Sequence, residues 1–354
     1  LNKILSLVAS IIKSTILFLL IFFHTNISSE ETTQYNPDDQ GVLSIMYHRF
    51  DENKYPSTNI RMNIFLEHIN AIKINGFDFY DPKLFDEQFD KPKGNKKILL
   101  TVDDAFLSFY ENAWPILKKK EIPFILFVST EPIGKRGYMT WEQIKEIEKE
   151  KFAFIGNHSH THEYLIKFSF SDFKKDINES IRIFNENLGY NPIFFSYPFG
   201  EYSLQQKNFI KKNFKYAFGQ HSGVIDSTKD KYELPRFPIN ENYGKMKRFS
   251  SIIKYLPLQY KDFKPEDKYI LARDNPPSVE IKFFNNQKNI KNINCFSNEG
   301  DSWGNPNISI DENNLMKISF REKFTFRRGR LNCSLNENGK WKWFGHQFTI
   351  QIPK

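Results

Sequence analysis

The chain has 354 residues, with 50 lysines and arginines against 42 aspartates and glutamates, a formal charge of +8. That length holds one large domain with a small one, or two medium ones, and can bury a substantial core. The basic excess is scattered among acidic residues, with no basic stripe interleaved with stacking aromatics. This sets nucleic-acid binding aside and leaves anionic surfaces or polymers compatible.

The N-terminus has an early Lys3, an apolar run over 16–23, and then a polar stretch with Ser28 and Ser29. This is the shape of a signal peptide over 1–28. Lys13 interrupts the apolar stretch and makes it a poor transmembrane span, which favours the signal peptide over the alternative of an uncleaved membrane anchor. The polar residues 29–40 read as a linker. The body of the protein is therefore expected to be exported, to the periplasm or the cell exterior, with membrane association if the segment is retained.

From residue 41, strands and helices alternate. "GVLSIMYHRF" is a strand ending at Tyr47 and His48. "MNIFLEHINAIKING" has helical spacing and stops at Gly76. "KILLTVDD" is a buried strand, and "FLSFYENAWPILKKKE" a helix that Pro115 bends or restarts. "PFILFVST" is a strand. "TWEQIKEIEKE" is a helix opened by Thr140, with Gln143 at capping-box distance. "KFAFIGNHSHTH" is a strand running into histidines, and the helix that follows closes at Gly189. "NPIFFSYPFGEYS" is a strand and turn, "LQQKNFIKKNF" a helix, and "YAFGQHSGVI" and "YELPRFPI" are strands. Such alternation over roughly 200 residues implies a mainly parallel sheet, open or closed as a barrel. After about residue 265 short, partly alternating segments divided by Asn, Gly and Pro predict a small all-β module over 270–354, following a main domain over 41–265. Its Cys295 and Cys333 are the only cysteines; in an exported chain they can bridge, or remain two buried thiols. Trp303, Trp341, Trp343 and Phe344 can stack on sugar rings or fill the module's core.

The polar chemistry follows the C-terminal ends of apolar strands: Asp103-Asp104, the histidines at 158, 160 and 162, and the turn 197–200. In barrel enzymes that rim carries the active site. Three of the chain's eight histidines lie within five residues. Spacing alone does not choose the ligands, since a helix would put His158 and His162 on one face and a strand would align all three. Two imidazoles and a carboxylate suit a borderline divalent metal, zinc by default. A second carboxylate beside it could take a proton from a metal-activated water.

These motifs resemble the polysaccharide deacetylases with a NodB-homology domain, carbohydrate esterase family four. Thr101-Val102-Asp103-Asp104-Ala105 matches the family's first motif, and His158-Ser159-His160-Thr161-His162 its second. "IMYHRF", "FILFVST", "FFSYPFGEYS" and "ELPRFPI" follow in family order, so the resemblance covers roughly residues 41–240. It implies an α/β fold, a distorted (β/α) barrel of the NodB-homology type. It also implies Asp103 as general base, Asp104, His158 and His162 as ligands of a divalent metal, Ser159 as a brace for the loop, and a backbone N–H near Phe199 as oxyanion donor. The activity implied is removal of N-acetyl groups from an amino-sugar polymer by metal-activated water, the partner being an acetylated polysaccharide or oligosaccharide. The alternatives are an O-acetyl esterase, or a non-catalytic polysaccharide-binding protein on the same fold. Three departures stand out. The arginine that often orients the base is missing from the third motif, and Arg236 in "LPRFP" is the available guanidinium. No clear motif supplies the general acid, which leaves His48 at the rim, ahead of His221. Ala105 replaces a glycine and should be tolerated unless the backbone there needs a positive φ.

Overall fold

The computed structural model describes residues 40–88 and 95–351. The expected leader or anchor over 1–28, and the linker up to residue 39, lie outside them. Among the described residues no helix is long and apolar enough to cross a membrane.

The main sheet runs Val42–Tyr47, Lys97–Asp103, Phe124–Val128, Ala153–Asn157, Phe194–Ser196 and Tyr216–Phe218 side by side, all parallel. The two-residue strand Val224–Ile225 lies antiparallel on the outer edge of Val42–Tyr47. The sheet curls, and one segment bridges its two ends. Leu234 pairs with Phe218, and Phe237 and Pro238 pair with Ile45 and Met46. Arg236 sits in the middle of this closing segment.

Strand periodicity decides what faces inward. Ile98, Leu100 and Val102 join the core beneath the helices, with Ile45, Phe124, Leu126 and Ile155. Leu99 packs on the other face with Ile125, Phe127, Phe194 and Phe218. Thr101 and Asp103 share the face of Leu99, so the strand delivers Asp103 to the barrel interior. Gly156 is required here, because a Cβ on it would lie 2.4 Å from the Phe127 ring.

The helices begin and end where local chemistry dictates. Thr140 and Gln143 form a capping box on Trp141–Glu148, as Ser203 and Gln206 do on Leu204–Ile210. Gly189 closes Phe170–Leu188 in the left-handed conformation. The expected helix around Pro115 divides into a π-helical stretch Phe109–Ala113 and an α-helix Trp114–Lys120. Proline has no N–H to give, so it sits in the first turn of the second piece. "YAFGQHSGVI" is two strands of opposite direction, and the helix Met246–Ile252 was not anticipated.

Residues 262–350 form two sheets, one antiparallel and one mixed, whose apolar faces meet. One contains Asn294–Ser297, Arg328–Glu337 and Lys340–Ile350; the other contains Asp262–Lys264, Val279–Lys282, Leu315–Ser319 and Asn307–Ile310. Val279, Ile281, Met316 and Ile318 pack against Leu331, Leu335, Phe344 and Phe348. Cys295 and Cys333 are paired in register, 4.1 Å apart at Cα, and joined by a disulfide. Phe344 is core, Trp343 stacks on Tyr255 at 5.2 Å, and Trp303 and Trp341 are half-exposed. This β-sandwich is stitched to the barrel. Leu256–Pro257 pairs with Lys340–Ile350, and the Trp343 indole donates to Ser222 at 2.9 Å.

A buried polar cluster lies along that seam. Lys207 bridges Asp230 at 2.9 Å and Glu233 at 3.0 Å, and the His221 ring stacks on His346 at 5.7 Å. Burial lowers His221 to about 4 and His346 well below its ordinary value. Burial would raise Glu233, but Lys268 and Lys207 outweigh it and bring it to about 2. All three groups bind fewer protons folded than unfolded, so stability falls with falling pH. The histidine contribution is lost from 6.5 down toward about 4 and the glutamate contribution from 4.5 down toward about 2. The expected result is a melting temperature that declines as pH drops from about 7 to 4; a flat profile contradicts it. Reducing the disulfide should remove about 3–4 kcal/mol, read as a lower melting temperature in reductant.

Candidate active site

Adjacent residues on a strand point to opposite faces, yet Asp103 and Asp104 both reach the same site. The backbone turns left-handed immediately after the strand, with φ of 75° at Asp104 and 53° at Ala105. This break swings the second carboxylate back over the barrel mouth. His158 Nε2 lies 3.7 Å from Asp103 and 3.5 Å from Asp104 Oδ1, and His162 Nε2 lies 3.1 Å from that same oxygen. Ala105 therefore occupies a conformation that favours glycine, which is where the sequence pattern would have placed one.

The histidine loop is neither helix nor strand. The strand ends at Asn157, and Ser159 and His162 take positive φ of 71° and 55°. Asn157 Oδ1 accepts from the Ser159 N–H at 2.8 Å, and Ser159 Oγ accepts from the His162 N–H at 3.2 Å. Asp176, on the following helix, accepts from the N–H groups of His160 and Thr161 and from the Thr161 hydroxyl. The His160 ring turns away to Thr130 at 2.8 Å. His158 and His162 are left facing the carboxylates. No local signal pointed to Asp176, which is 5 % exposed on a helix otherwise read for its apolar stripe.

His158 Nδ1 donates to the Ser196 carbonyl at 2.7 Å, which leaves Nε2 as the unprotonated nitrogen toward the site. Burial lowers this imidazole to about 4, against the opposing pull of Asp103. Among the described residues Asp104, His158 and His162 form the group able to hold a metal ion, with ligand atoms all within 4.8 Å of one another. His158 Nε2 and Asp104 Oδ1 are buried with no hydrogen-bond partner. Two orphaned buried ligand atoms beside a third are what a divalent cation would satisfy, so the donor set fits one.

Asp103 is held differently. Arg236 Nη1 and Nη2 grip its two oxygens at 2.6 and 2.9 Å. The same guanidinium donates to Gly219 O, Thr101 Oγ1 and Ser196 Oγ, and both partners are fully buried. Burial would raise the Asp103 carboxyl, but Arg236 and then His158 outweigh it and hold it below the usual carboxylate range. His48 stands close enough for its charge to act on both Asp103 and Asp104, and its Nδ1 is buried without a partner. His221 is not at the site; it belongs to the cluster against the β-sandwich.

The third motif closes the other side. Phe199 has φ of 58° and Gly200 +67°. At Gly200 a Cβ would lie 2.7 Å from the Gln220 amide nitrogen. The Phe199 ring packs 4.9 Å from His162 and stacks on Tyr164 at 4.2 Å.

Known proteins agree with this architecture. Residues 90–217 match the family described as polysaccharide deacetylase. A poly-beta-1,6-N-acetyl-D-glucosamine N-deacetylase of Staphylococcus aureus is 27% identical over 169 residues, which cover 43% of this chain and 58% of that protein. IcaB from Ammonifex degensii superposes with a TM-score of 0.54 at 23% identity, over 60% of this chain and 97% of that one. BC0361, a polysaccharide deacetylase from Bacillus cereus, gives 0.54 at 22%, over 61% and 69%. At these identities the structural likeness speaks for the fold, and the family match spans both carboxylates and all three histidines of the site. Over residues 90–217 the chain thus matches the polysaccharide deacetylase family, on the fold of the solved deacetylases.

Proposed function

We propose that this protein is an exported, metal-dependent hydrolase that removes N-acetyl groups from an amino-sugar polymer. The observation that carries the reading is the pair of orphaned buried ligand atoms on Asp104 and His158, set beside an aspartate locked by a buried arginine. The substrate class is supported by the relative named for poly-beta-1,6-N-acetyl-D-glucosamine. Export is supported by the disulfide, a bond that persists in oxidising compartments. A non-catalytic role would leave this uncompensated cluster without purpose.

Asp104, His158 and His162 would hold the cation, and two imidazoles with one carboxylate suit zinc. When bound, such an ion polarises a carbonyl and acidifies water. Asp103 accepts the proton of the water that adds to the acetamide carbon, while Arg236 keeps its carboxylate charged and fixed. The backbone N–H of Phe199 donates to the oxyanion of the adduct. His48 then gives a proton to the departing nitrogen as the C–N bond breaks, yielding acetate and a free amine.

Purified protein should release acetate from N-acetylglucosamine oligomers and stop doing so with chelator. Release only from O-acetylated glycans would instead make it an esterase, and no release from any acetylated glycan would overturn the reading. His158→Ala and His162→Ala should lose the metal by elemental analysis, and His160→Ala should keep it. Metal-loaded Asp103→Asn should lose turnover by about 100- to 10,000-fold; near-normal turnover would remove Asp103 from the role of base.

A further inference from the structure

The family match ends at residue 217, but the oxyanion turn is gripped from far beyond it. Gln347, on the last strand Lys340–Ile350, is 4 % exposed. Its Nε2 donates to the carbonyl of Phe199 at 3.0 Å and to that of Gly200 at 3.1 Å. Arg327 Nε donates to buried Glu201 at 2.9 Å, and Arg328 stands 3.6 Å from the same oxygen. The Arg327 guanidinium also lies 3.6 Å over the Tyr164 ring, which stacks on Phe199, which packs on His162.

Two consecutive left-handed residues, one with a bulky side chain, are a strained turn that persists only where its surroundings fix it. Here the surroundings are the β-sandwich. Burying a glutamine amide costs free energy where it is unpaired; this one places its donors on the two carbonyls of the turn and leaves its Oε1 buried without a partner. The sandwich needs no such contact to dock, since the pairing of Leu256–Pro257 and the Trp343 indole already join it to the barrel.

The geometry points to Gln347 and Arg327 as positioning residues. From the C-terminal sandwich they set the Phe199–Glu201 turn, and through it the backbone N–H that meets the developing oxyanion. This rests on the deacetylase reading above. The β-sandwich is then part of the catalytic unit.

The test compares the full-length proteins Gln347→Met, Arg327→Met and Leu335→Ala. Leu335 lies in the sandwich core away from the turn and serves as the control for plain destabilisation. On a soluble acetylated oligosaccharide, both Met variants should lose about ten- to a hundredfold in kcat, because a displaced donor forfeits transition-state binding. KM should stay within about twofold, and the metal content should be unchanged. Leu335→Ala should lower the melting temperature and leave kcat intact. Hydrogen exchange over residues 197–203 should quicken in Gln347→Met and not in Leu335→Ala. Wild-type kcat in Gln347→Met, or an equal loss in Leu335→Ala, overturns the inference. If the wild type releases no acetate, the deacetylase reading falls, and the exchange comparison still decides whether Gln347 sets the turn.

Discussion

The structure depends on one buried ion pair. Arg236 and Asp103 are both shut off from water inside the barrel, where either charge alone would be strongly destabilising. They coexist because the guanidinium meets the carboxylate as a fork and places its other donors on Gly219 O, Thr101 Oγ1 and Ser196 Oγ. Those partners come from two strands and from the residue just past a third, so the pair forms only when the curled sheet and its closing segment are in place. The same contact closes the barrel and keeps Asp103 a carboxylate. Fold and chemistry are therefore coupled at one point. The arginine that the third motif lacks is supplied from the segment that joins the sheet's ends.

A division of labour between two neighbouring aspartates follows from backbone geometry. Asp103 leaves the strand on its inner face and meets Arg236. Asp104 is turned left-handed and meets the histidines. Left-handed residues recur at Ser159, His162, Phe199 and Gly200, so all three motifs leave their strands by a strained bend. Two of these bends are held by side chains outside the motif, Asn157 and Asp176 for the histidine loop and Gln347 for the Phe199–Gly200 turn, while the Ala105 carbonyl accepts from the Met139 N–H. The strain is local and its support is distant.

This separation explains what could be read in the sequence. The alternation of strands and helices, the capping box at Thr140 and the closure at Gly189 are written in neighbouring residues and were legible. So was the meeting of Asp103, Asp104, His158 and His162 at one rim, because all of them follow the C-terminal ends of neighbouring strands. Arg236 could be named only as the available guanidinium, in "LPRFP", once the third motif was seen to lack its arginine. Asp176, Gln347, Arg327 and Glu201 were not legible. Gln347 meets the turn across 148 residues, and nothing in its own neighbourhood distinguishes it from any polar residue on a strand. Ala105 meets the condition its sequence raised: its φ is positive, where a local rule favours glycine, and the tertiary site holds the left-handed bend without one. Trp303 and Trp341 remain half-exposed, while Trp343 packs on Tyr255 and Phe344 in the sandwich core, a split set by tertiary neighbours, since Trp341 and Trp343 share one face of their strand.

The most direct test of the coupling is turnover of metal-loaded Arg236→Met, measured beside its metal content and far-ultraviolet circular dichroism. The account predicts a folded protein, less stable by about 3–5 kcal/mol because Asp103 is left buried without its partner. It should still bind one divalent ion, with acetate release reduced by on the order of 100-fold or more. A folded, metal-loaded Arg236→Met that releases acetate at the wild-type rate would contradict it.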